Sequence, residues 1–207
     1  MRVAVINYGM GNLGSVRRAL AELGADVCIA ETPPDLRSAD RIILPGVGSF
    51  ADGMANLVAQ GWLDELRGEC CERNKPLLGI CLGMQLLASD GTEGGHSLGL
   101  DLIAGSVVRL DTLGCQHRIP HVGWNGVHGR QDSVLFKGLP EGTDFYFVHS
   151  FVFRTRNEAH VSATADYGVM IAAAVERDHI FGTQFHPEKS SKAGFKVLQN
   201  FLSYQPC

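Results

Sequence analysis

The stretch that decides the fold runs from residue 77 to residue 87 and reads Leu77-Leu78-Gly79-Ile80-Cys81-Leu82-Gly83-Met84-Gln85-Leu86-Leu87. It opens on a continuous apolar run, which is typical of a strand with both faces buried. A helical pattern starts at Met84. Between strand and helix the residues form G-x-C-x-G, the layout of a nucleophile elbow with Cys in place of Ser. The stretch therefore predicts an α/β protein with a reactive thiol at the carboxyl end of a strand.

The residues before this stretch alternate between strand and helix patterns. Short apolar runs predict strands at residues 3–6, 27–30 and 42–44. Apolar residues at helical spacing predict helices at residues 13–23, 50–58 and 62–66. This β-α-β-α-β order favours a parallel sheet with helices on both faces.

The residues after position 100 change in character, because strand patterns follow one another with few helical patterns between them. We predict these strands at residues 105–110, 118–122, 145–153, 160–165, 171–175 and 180–185, and a closing helix from about Ser191. They predict an antiparallel portion added to the sheet. No repeat, linker or low-complexity stretch is visible, so we expect residues 1–207 to form a single domain.

Composition excludes several classes of protein. The net charge is −4 and no basic stripe occurs, which argues against nucleic acid as a partner. No apolar run approaches the ~20 residues that a membrane helix needs, and the N-terminus is too quickly polar for a signal peptide. The six cysteines are scattered without a CxxC pair, as in reduced proteins. We therefore expect a cytoplasmic protein.

Each part of the predicted turn around Cys81 suits a nucleophile. Gly79 and Gly83 let strand and helix pass without side-chain clashes, and the helix N-terminus favours negative charge on the sulfur. The backbone N–H of Leu82 would then point toward a developing oxyanion. A buried structural cysteine between packing glycines is the alternative, and the bare motif does not exclude it.

A candidate acid–base pair stands near the C-terminus in Gln184-Phe185-His186-Pro187-Glu188-Lys189. We expect His186 to end a strand, so that Glu188, two residues on, faces the same side and orients the imidazole. Taken alone, the pair could be an exposed histidine beside a solvated glutamate. Together with Cys81 it forms a Cys–His–Glu constellation, and its chain order differs from that of ordinary α/β-hydrolases.

Residues 79–85 and 186–188 resemble the signatures of class I, triad-type glutamine amidotransferases. Further segments are similar to the glutaminase subunit of imidazole glycerol phosphate synthase, an enzyme of histidine biosynthesis. They are residues 7–13 (NYGMGNL), 44–50 (LPGVGSF), 120–125 (PHVGWN), 146–150 (YFVHS) and 185–191 (FHPEKSS). The resemblance covers essentially the whole chain. It departs at Leu100-Asp101-Leu102, where the family more often has Gly between the leucines, in what we interpret as a surface turn.

The resemblance implies a class I glutamine amidotransferase-like (flavodoxin-like) α/β fold, an open mostly parallel sheet flanked by helices with an added antiparallel portion. It also implies a mechanism. The Cys81 thiolate attacks the side-chain amide carbon of glutamine, and His186 protonates the leaving ammonia and then activates water. Glu188 orients His186. The oxyanion donors are expected to be the N–H of Leu82 and an N–H of the loop at residues 45–48, that of Val47 or Gly48.

Glutamine also needs its α-amino and α-carboxyl groups held. We expect Gly46, Gln85, His149 and Ser150 to line the substrate pocket, Gln85 because it follows Cys81 by four residues and shares its helix face. The alternatives are a polar residue at a helix start for Gln85 and a half-buried strand histidine for His149.

No metal site is expected. Cys115, His117 and His121 could converge from strand and loop positions, but no fourth ligand with the usual zinc spacing follows them. We interpret them as ordinary strand and loop residues.

Nothing in the sequence is left over to use the ammonia that a glutaminase releases. We find no acceptor-binding domain, phosphate loop or cofactor motif, so no cofactor is expected and the ammonia is either released or used by a second chain. The resemblance implies the second: a heterodimer with the (β/α)8-barrel cyclase subunit, which makes imidazole glycerol phosphate and aminoimidazole carboxamide ribotide. Asn12 and Lys189 are candidate interface residues, with helix capping and a solvated lysine as their alternatives.

Three other functions compete with this one. The first is the glutaminase of another amidotransferase, such as anthranilate or aminodeoxychorismate synthase, against which the segments at residues 7–13 and 120–125 argue. The second is a non-catalytic interaction subunit on the same fold, against which the intact Cys81, His186 and Glu188 argue. The third is a stand-alone cysteine hydrolase or peptidase.

Overall fold

The secondary structure is that of a computed structural model, which describes residues 1–206. The strands are Arg2–Ile6 (β1), Asp26–Ala30 (β2), Arg41–Gly46 (β3), Leu77–Cys81 (β4), Asp90–Gly91 (β5), Ser97–Leu98 (β6), Gly105–Arg109 (β7), His121–Gly129 (β8), Thr143–His149 (β9), Phe151–Thr155 (β10), Val161–Asp166 (β11), Met170–Arg177 (β12) and Ile180–Thr183 (β13). The α-helices are Leu13–Glu22 (α1), Phe50–Ala59 (α2), Trp62–Arg67 (α3), Leu82–Leu86 (α4) and Ser191–Ser203 (α5). Short 3-10 turns and the π-helical turn Gly68–Glu72 complete the elements.

The strands form two sheets. The larger has the order β2-β1-β3-β4-β13-β12-β11-β8-β9 and the smaller the order β10-β7-β5-β6. In the larger sheet β2, β1, β3, β4 and β13 pair in parallel, and the remaining four strands pair antiparallel. The predicted α/β fold with a parallel core and an added antiparallel portion is confirmed, and the antiparallel portion is nearly as wide as the parallel one.

Two strand predictions are wrong in detail. The strand expected at residues 118–122 begins only at His121, directly after Pro120, which has no N–H to give to a ladder. The strand expected at residues 145–153 is two strands: β9 pairs with β8, whereas β10 pairs with β7 in the smaller sheet. The chain passes from one sheet to the other at Ser150. The polar residues His149 and Ser150 interrupt the apolar pattern there, but they do not show that the two strands pair in different sheets.

The core lies on both faces of the larger sheet. In β1, Val3 and Val5 belong to one apolar cluster, whereas Ala4 and Ile6 belong to the other. Successive side chains of a strand point to opposite faces, so a strand buried on both faces must be apolar throughout. This explains why the first and fourth strands are continuous apolar runs in the sequence. Within residues 1–206, no helix has the length and apolarity to cross a membrane.

Asp101, where the sequence departs from the glycine of the family that it resembles, has a left-handed backbone with φ +53°. Glycine adopts this region without strain and aspartate is one of the few other residues that tolerate it. The Ser89 hydroxyl donates a hydrogen bond of 2.5 Å to the Asp101 carboxylate. The position is an exposed turn, as predicted, and its backbone accounts for the glycine that the family more often has there.

Candidate active site

Cys81 lies on a sharp turn between β4 and α4. Its backbone has φ +55° and ψ −109°, a conformation that non-glycine residues rarely adopt. A side chain cannot be added to either flanking glycine: a Cβ on Gly79 would lie 2.5 Å from the carbonyl oxygen of Gly83, and a Cβ on Gly83 would overlap the Leu44 carbonyl. The strained turn predicted from the sequence is therefore present, and both glycines are required for it.

His186 and Glu188 are in contact, but not through the strand geometry that we expected. β13 ends at Thr183 and residues Pro187–Lys189 form a 3-10 turn, so the prediction that His186 ends a strand is wrong. The turn still brings Glu188 back, and its Oε1 lies 2.8 Å from Nδ1 of His186. The Tyr146 carbonyl accepts the His186 backbone N–H at 3.0 Å, which fixes the turn against β9.

The charge state of His186 is set by its neighbours. Burial alone would lower the pKa of this imidazole, but its interactions with the nearby Cys81 and Glu188 outweigh burial and raise the pKa to about 9. Because Nδ1 faces the Glu188 carboxylate, Nε2 is the nitrogen left for chemistry. Nε2 has no hydrogen-bond partner among residues 1–206. The imidazole is thus held as a potential proton donor with its outer nitrogen free.

A cavity of about 480 Å³ joins the thiol to the imidazole, a volume within the range of small-molecule sites. It is lined by Val47, Gly48, Ser49, Cys81, Leu82, Gln85, Glu93, Pro120, Val148, His149, Ser150, Phe151 and His186. All but two of the predicted catalytic, oxyanion and substrate residues are in this wall. The exceptions are Glu188, which acts from behind His186, and Gly46, which lies beneath the wall where a Cβ would be 2.5 Å from the Tyr8 hydroxyl.

The predicted oxyanion donors meet at one end of the cavity. Leu82 is the first residue of α4, and the N–H of a first helical residue has no partner within its helix. Gly48 has φ +119°, a conformation that favours glycine. Both residues and Val47 line the cavity beside Cys81. Their roles as oxyanion donors stay predictions.

Gln85 and His149 share a carbonyl in the wall. The Phe151 carbonyl accepts from Gln85 Nε2 at 2.9 Å and lies 3.0 Å from His149 Nδ1. The other ring nitrogen of His149 lies 3.0 Å from Nδ1 of His121. Both ring nitrogens of His149 therefore contact other protein groups. The imidazole lines the cavity but has no free nitrogen for a substrate.

The two histidines form a directed chain of hydrogen bonds. Since a carbonyl only accepts, Nδ1 of His149 carries its hydrogen and Nε2 accepts from Nδ1–H of His121. Nε2 of His121 then faces the amide of Asn125 at 3.4 Å. Both imidazoles, His149 and His121, are neutral in this arrangement. Burial lowers the pKa of His121 to about 4, and burial together with the neighbouring His121 lowers that of His149 to about 3.

The lowered pKa values predict a loss of stability in mild acid. As pH falls below about 6.5, both imidazoles take protons in the unfolded chain but stay neutral in the folded one until about pH 4. Unfolding is thereby favoured. Denaturant titrations at a series of pH values should show a free energy of unfolding that decreases over this interval, and less steeply in His121→Gln.

His96, which is exposed, provides the matched control. His96→Gln should keep the wild-type slope. An identical slope in His121→Gln and wild type would contradict the assignment of neutral, buried imidazoles. His186 does not disturb this test, because its raised pKa favours folding as pH falls from about 9 toward 6.5 and is saturated below.

Sequence analysis missed Glu93 as a cavity residue. It follows β5, its Oε2 accepts the Phe50 N–H at 3.2 Å, and burial raises its pKa. No local pattern distinguishes it from other loop acids. Gln184 was also missed, although it stands in the quoted segment that contains His186; its amide lies against Cys81.

The remaining predicted residues lie outside the cavity. Asn12 is exposed and its side chain caps α1 by accepting the Ser15 N–H at 3.3 Å. Lys189 is exposed, with no ion-pair partner in the described part of the chain. Cys115 donates to the Tyr167 carbonyl at 3.1 Å. Among residues 1–206 no group of three or more His, Cys, Asp or Glu side chains is placed to hold a metal ion.

Comparison with known proteins agrees with this geometry. The fold and the Cys–His–Glu site define a glutamine amidotransferase of class I, and the family model described as glutamine amidotransferase class-I matches residues 4–204. The structure of PurLQS from Thermotoga maritima has the same fold, with a TM-score of 0.77 over 98% of both chains at 22% identity. A glutamine amidotransferase from the same organism has a TM-score of 0.68 at 20% identity, over 98% of this chain and 82% of the other.

Curated relatives define the subgroup. The imidazole glycerol phosphate synthase subunit HisH of Moorella thermoacetica is 50% identical over 199 residues, which are 96% of this chain and 93% of that protein. HisH 1 of Campylobacter jejuni (strain RM1221) is 46% identical over 97% of this chain and 98% of its own. The chain therefore belongs to the HisH family of imidazole glycerol phosphate synthase subunits, and the resemblance drawn from the sequence is confirmed.

Proposed function

We propose that this chain is the glutaminase subunit of an imidazole glycerol phosphate synthase in histidine biosynthesis. It hydrolyses glutamine to glutamate and ammonia and supplies the ammonia to a cyclase subunit that makes imidazole glycerol phosphate and aminoimidazole carboxamide ribotide. The observation that carries the proposal is the placement of Cys81, on its strained turn, in one cavity with the His186–Glu188 pair. The identity to HisH subunits selects this synthase over the anthranilate and aminodeoxychorismate types.

The first half of the reaction forms a thioester. The Cys81 thiolate attacks the side-chain amide carbon of glutamine, and the carbonyl oxygen becomes an oxyanion facing the N–H of Leu82 and an N–H of residues 47–48. When the intermediate collapses, the C–N bond breaks and His186 Nε2–H protonates the leaving nitrogen. A pKa of about 9 keeps this imidazole protonated at neutral pH and ready for that step.

The second half hydrolyses the thioester. His186, now neutral, takes a proton from water as the water attacks the thioester carbon, and glutamate leaves with the thiolate restored. Glu188 accepts the Nδ1–H throughout and stabilises the imidazolium that forms in each half. Its carboxylate is almost completely buried, so water does not weaken this interaction.

The α-ammonium and α-carboxylate groups of glutamine face polar side chains in the wall of the same cavity. The Glu93 carboxylate is the acidic group lining the cavity and is suited to the α-ammonium of glutamine. The α-carboxylate is then held by Gln85, Ser150 and the backbone of Gly48. Glutamine is thereby oriented with its side chain toward Cys81.

An exposed apolar face beside the cavity supports a protein partner. Val122 and Trp124 on β8 are 56% and 55% exposed, and Val122 pairs with Val148 of the cavity rim. Val47, also in the rim, is 43% exposed. Apolar side chains grouped on a surface mark interaction sites, and Val47 and Val148 also line the cavity. We assign the face to the (β/α)8-barrel cyclase subunit, with Asn12 and Lys189 as further candidate contacts.

We place the protein in the cytoplasm. The five cysteines of residues 1–206 are free thiols, namely Cys28, Cys70, Cys71, Cys81 and Cys115. Thiols stay unpaired in reducing compartments, where the biosynthesis of an amino acid also takes place.

Size-exclusion chromatography with a barrel cyclase tests the partner. We expect a one-to-one heterodimer, and Val122→Asp should weaken it about tenfold or more, because a carboxylate would be buried against apolar surface. Val58→Asp is the matched control, since Val58 is equally exposed, at 58%, but lies on α2 away from the rim. Binding to a chorismate-using synthase instead of the cyclase would contradict the assignment to this synthase.

A further inference from the structure

The side chain of Gln184 is completely buried between the nucleophile and the substrate wall. Its Nε2 lies 3.9 Å from Sγ of Cys81, a weak N–H···S contact. Its Oε1 accepts from Nε2 of Gln85 at 3.1 Å. Gln184 is thus the one side chain among residues 1–206 that is hydrogen bonded to both Cys81 and Gln85.

The direction of both amides is fixed by the Phe151 carbonyl. This oxygen only accepts, so Gln85 must turn its NH₂ group toward it, at 2.9 Å. The same NH₂ group faces Gln184, which must therefore present its oxygen to Gln85 and its own NH₂ group to the sulfur. The donor that faces Cys81 is set by the network and not by a free rotation of the amide.

The sulfur lies between this donor and one acceptor. The acceptor is the Val148 carbonyl oxygen, which lies 3.9 Å from Sγ. As a thiol, Cys81 can donate its hydrogen to that carbonyl. As a thiolate it can only accept, and the Gln184 amide is then a favourable contact in addition to the charge of His186. Hydrogen bonds to charged groups are stronger than those between neutral groups.

We propose that Gln184 is a positioning residue for the nucleophile: its amide donates to the Cys81 sulfur and holds it in place beside the cavity, and Gln85 sets the direction of that amide. The proposal rests on the assignment of Cys81 as the nucleophile of the glutaminase. The position of Gln184 also connects the nucleophile with the cavity wall expected to hold glutamine. Gln85 lies in the wall expected to hold glutamine, so a change in its hydrogen bonds on substrate binding alters the amide that faces the sulfur.

Two variants test the role in the complex with the cyclase. Gln184→Met has a similar volume but neither donor nor acceptor, and Gln184→Glu keeps an acceptor for Gln85 while removing the NH₂ group that faces the sulfur. For both we expect kcat for glutamine hydrolysis to fall about tenfold or more, with a smaller change in KM in Gln184→Glu. The rate of Cys81 alkylation by iodoacetamide, followed as a function of pH, should be lower in both variants than in the wild type, because the sulfur is no longer held by the amide.

Gln199→Met on the exposed face of α5 is the matched control and should leave kcat and the alkylation profile unchanged. If Gln184→Met and Gln184→Glu keep kcat and the alkylation profile, the positioning role is wrong. It is also wrong if activity falls only in proportion to the folded fraction, measured by circular dichroism, with the alkylation profile per folded molecule unchanged. Cys81→Ala is assayed alongside: activity remaining there would contradict the nucleophile assignment itself, which the Gln184 variants do not test.

Discussion

Cys81→Ala is expected to abolish glutamine hydrolysis while leaving the cyclase partner's use of added ammonia intact. Within residues 1–206 no other cysteine lines the cavity, and alanine offers no electron pair to attack the amide carbon. Loss of the nucleophile from a catalytic triad reduces kcat by roughly 10⁵–10⁶-fold. Glutamate release measures the first activity, and formation of imidazole glycerol phosphate with ammonium salt as nitrogen donor measures the second.

Cys71→Ala is the control, because Cys71 is a free, exposed cysteine outside the cavity. It should retain both activities. Glutaminase activity that survives in Cys81→Ala would exclude the thioester mechanism. Loss of the ammonia-dependent activity as well would mean that the substitution damages the complex and not only the nucleophile.

His186→Ala is expected to reduce glutamine hydrolysis nearly as much as Cys81→Ala, and Glu188→Ala about ten- to a hundredfold less. His186 transfers protons in both halves of the reaction, whereas Glu188 orients the imidazole and stabilises its charge. Without the carboxylate 2.8 Å from Nδ1, the pKa of His186 should fall below its present value of about 9. Steady-state kinetics as a function of pH measures both effects.

In Glu188→Ala the decrease of activity on the alkaline side should therefore begin at lower pH than in the wild type. Glu188→Gln keeps a hydrogen-bond acceptor without the charge, so it should recover part of the orientation but not the pKa. If Glu188→Ala were slower than His186→Ala, the division into proton transfer and orientation would be refuted. Lys192→Ala, which changes an exposed residue at the start of α5 just after the turn, controls for disturbance of this segment.

The sequence predicted what depends on local pattern. The apolar run before Cys81, the glycines around it and the helix after it specify a strand, a strained turn and a helix through neighbours alone, and the structure has all three. The closing helix was equally clear, since the apolar residues of α5 recur at helical spacing. The triad residues were recognisable because their types and their motifs are rare in combination.

What the sequence could not predict depends on contacts between distant segments. The apolar residues on either side of His149-Ser150 do not show that the chain leaves one sheet for another at Ser150, because that depends on pairing with strands that are distant in the sequence. Glu93 reaches the cavity only because its loop is placed over the start of α2. The direction of the Gln184 amide follows from Gln85 and Phe151, which are 99 and 33 positions away from it. That residues 1–207 form one domain stays a prediction.

The positive φ of Cys81 makes the folded protein less stable than it could be. The other non-glycine residues with positive φ in the described chain are Asn74, Asp101, Asp178 and Ser191, short polar residues suited to such turns. Cys81 is the exception, and a conformation of this kind costs about 1–3 kcal/mol. Glycine there would remove much of that cost. A chain with glycine at this position would be more stable but would have no nucleophile, so the protein gives up stability at Cys81 for the chemistry of its thiol.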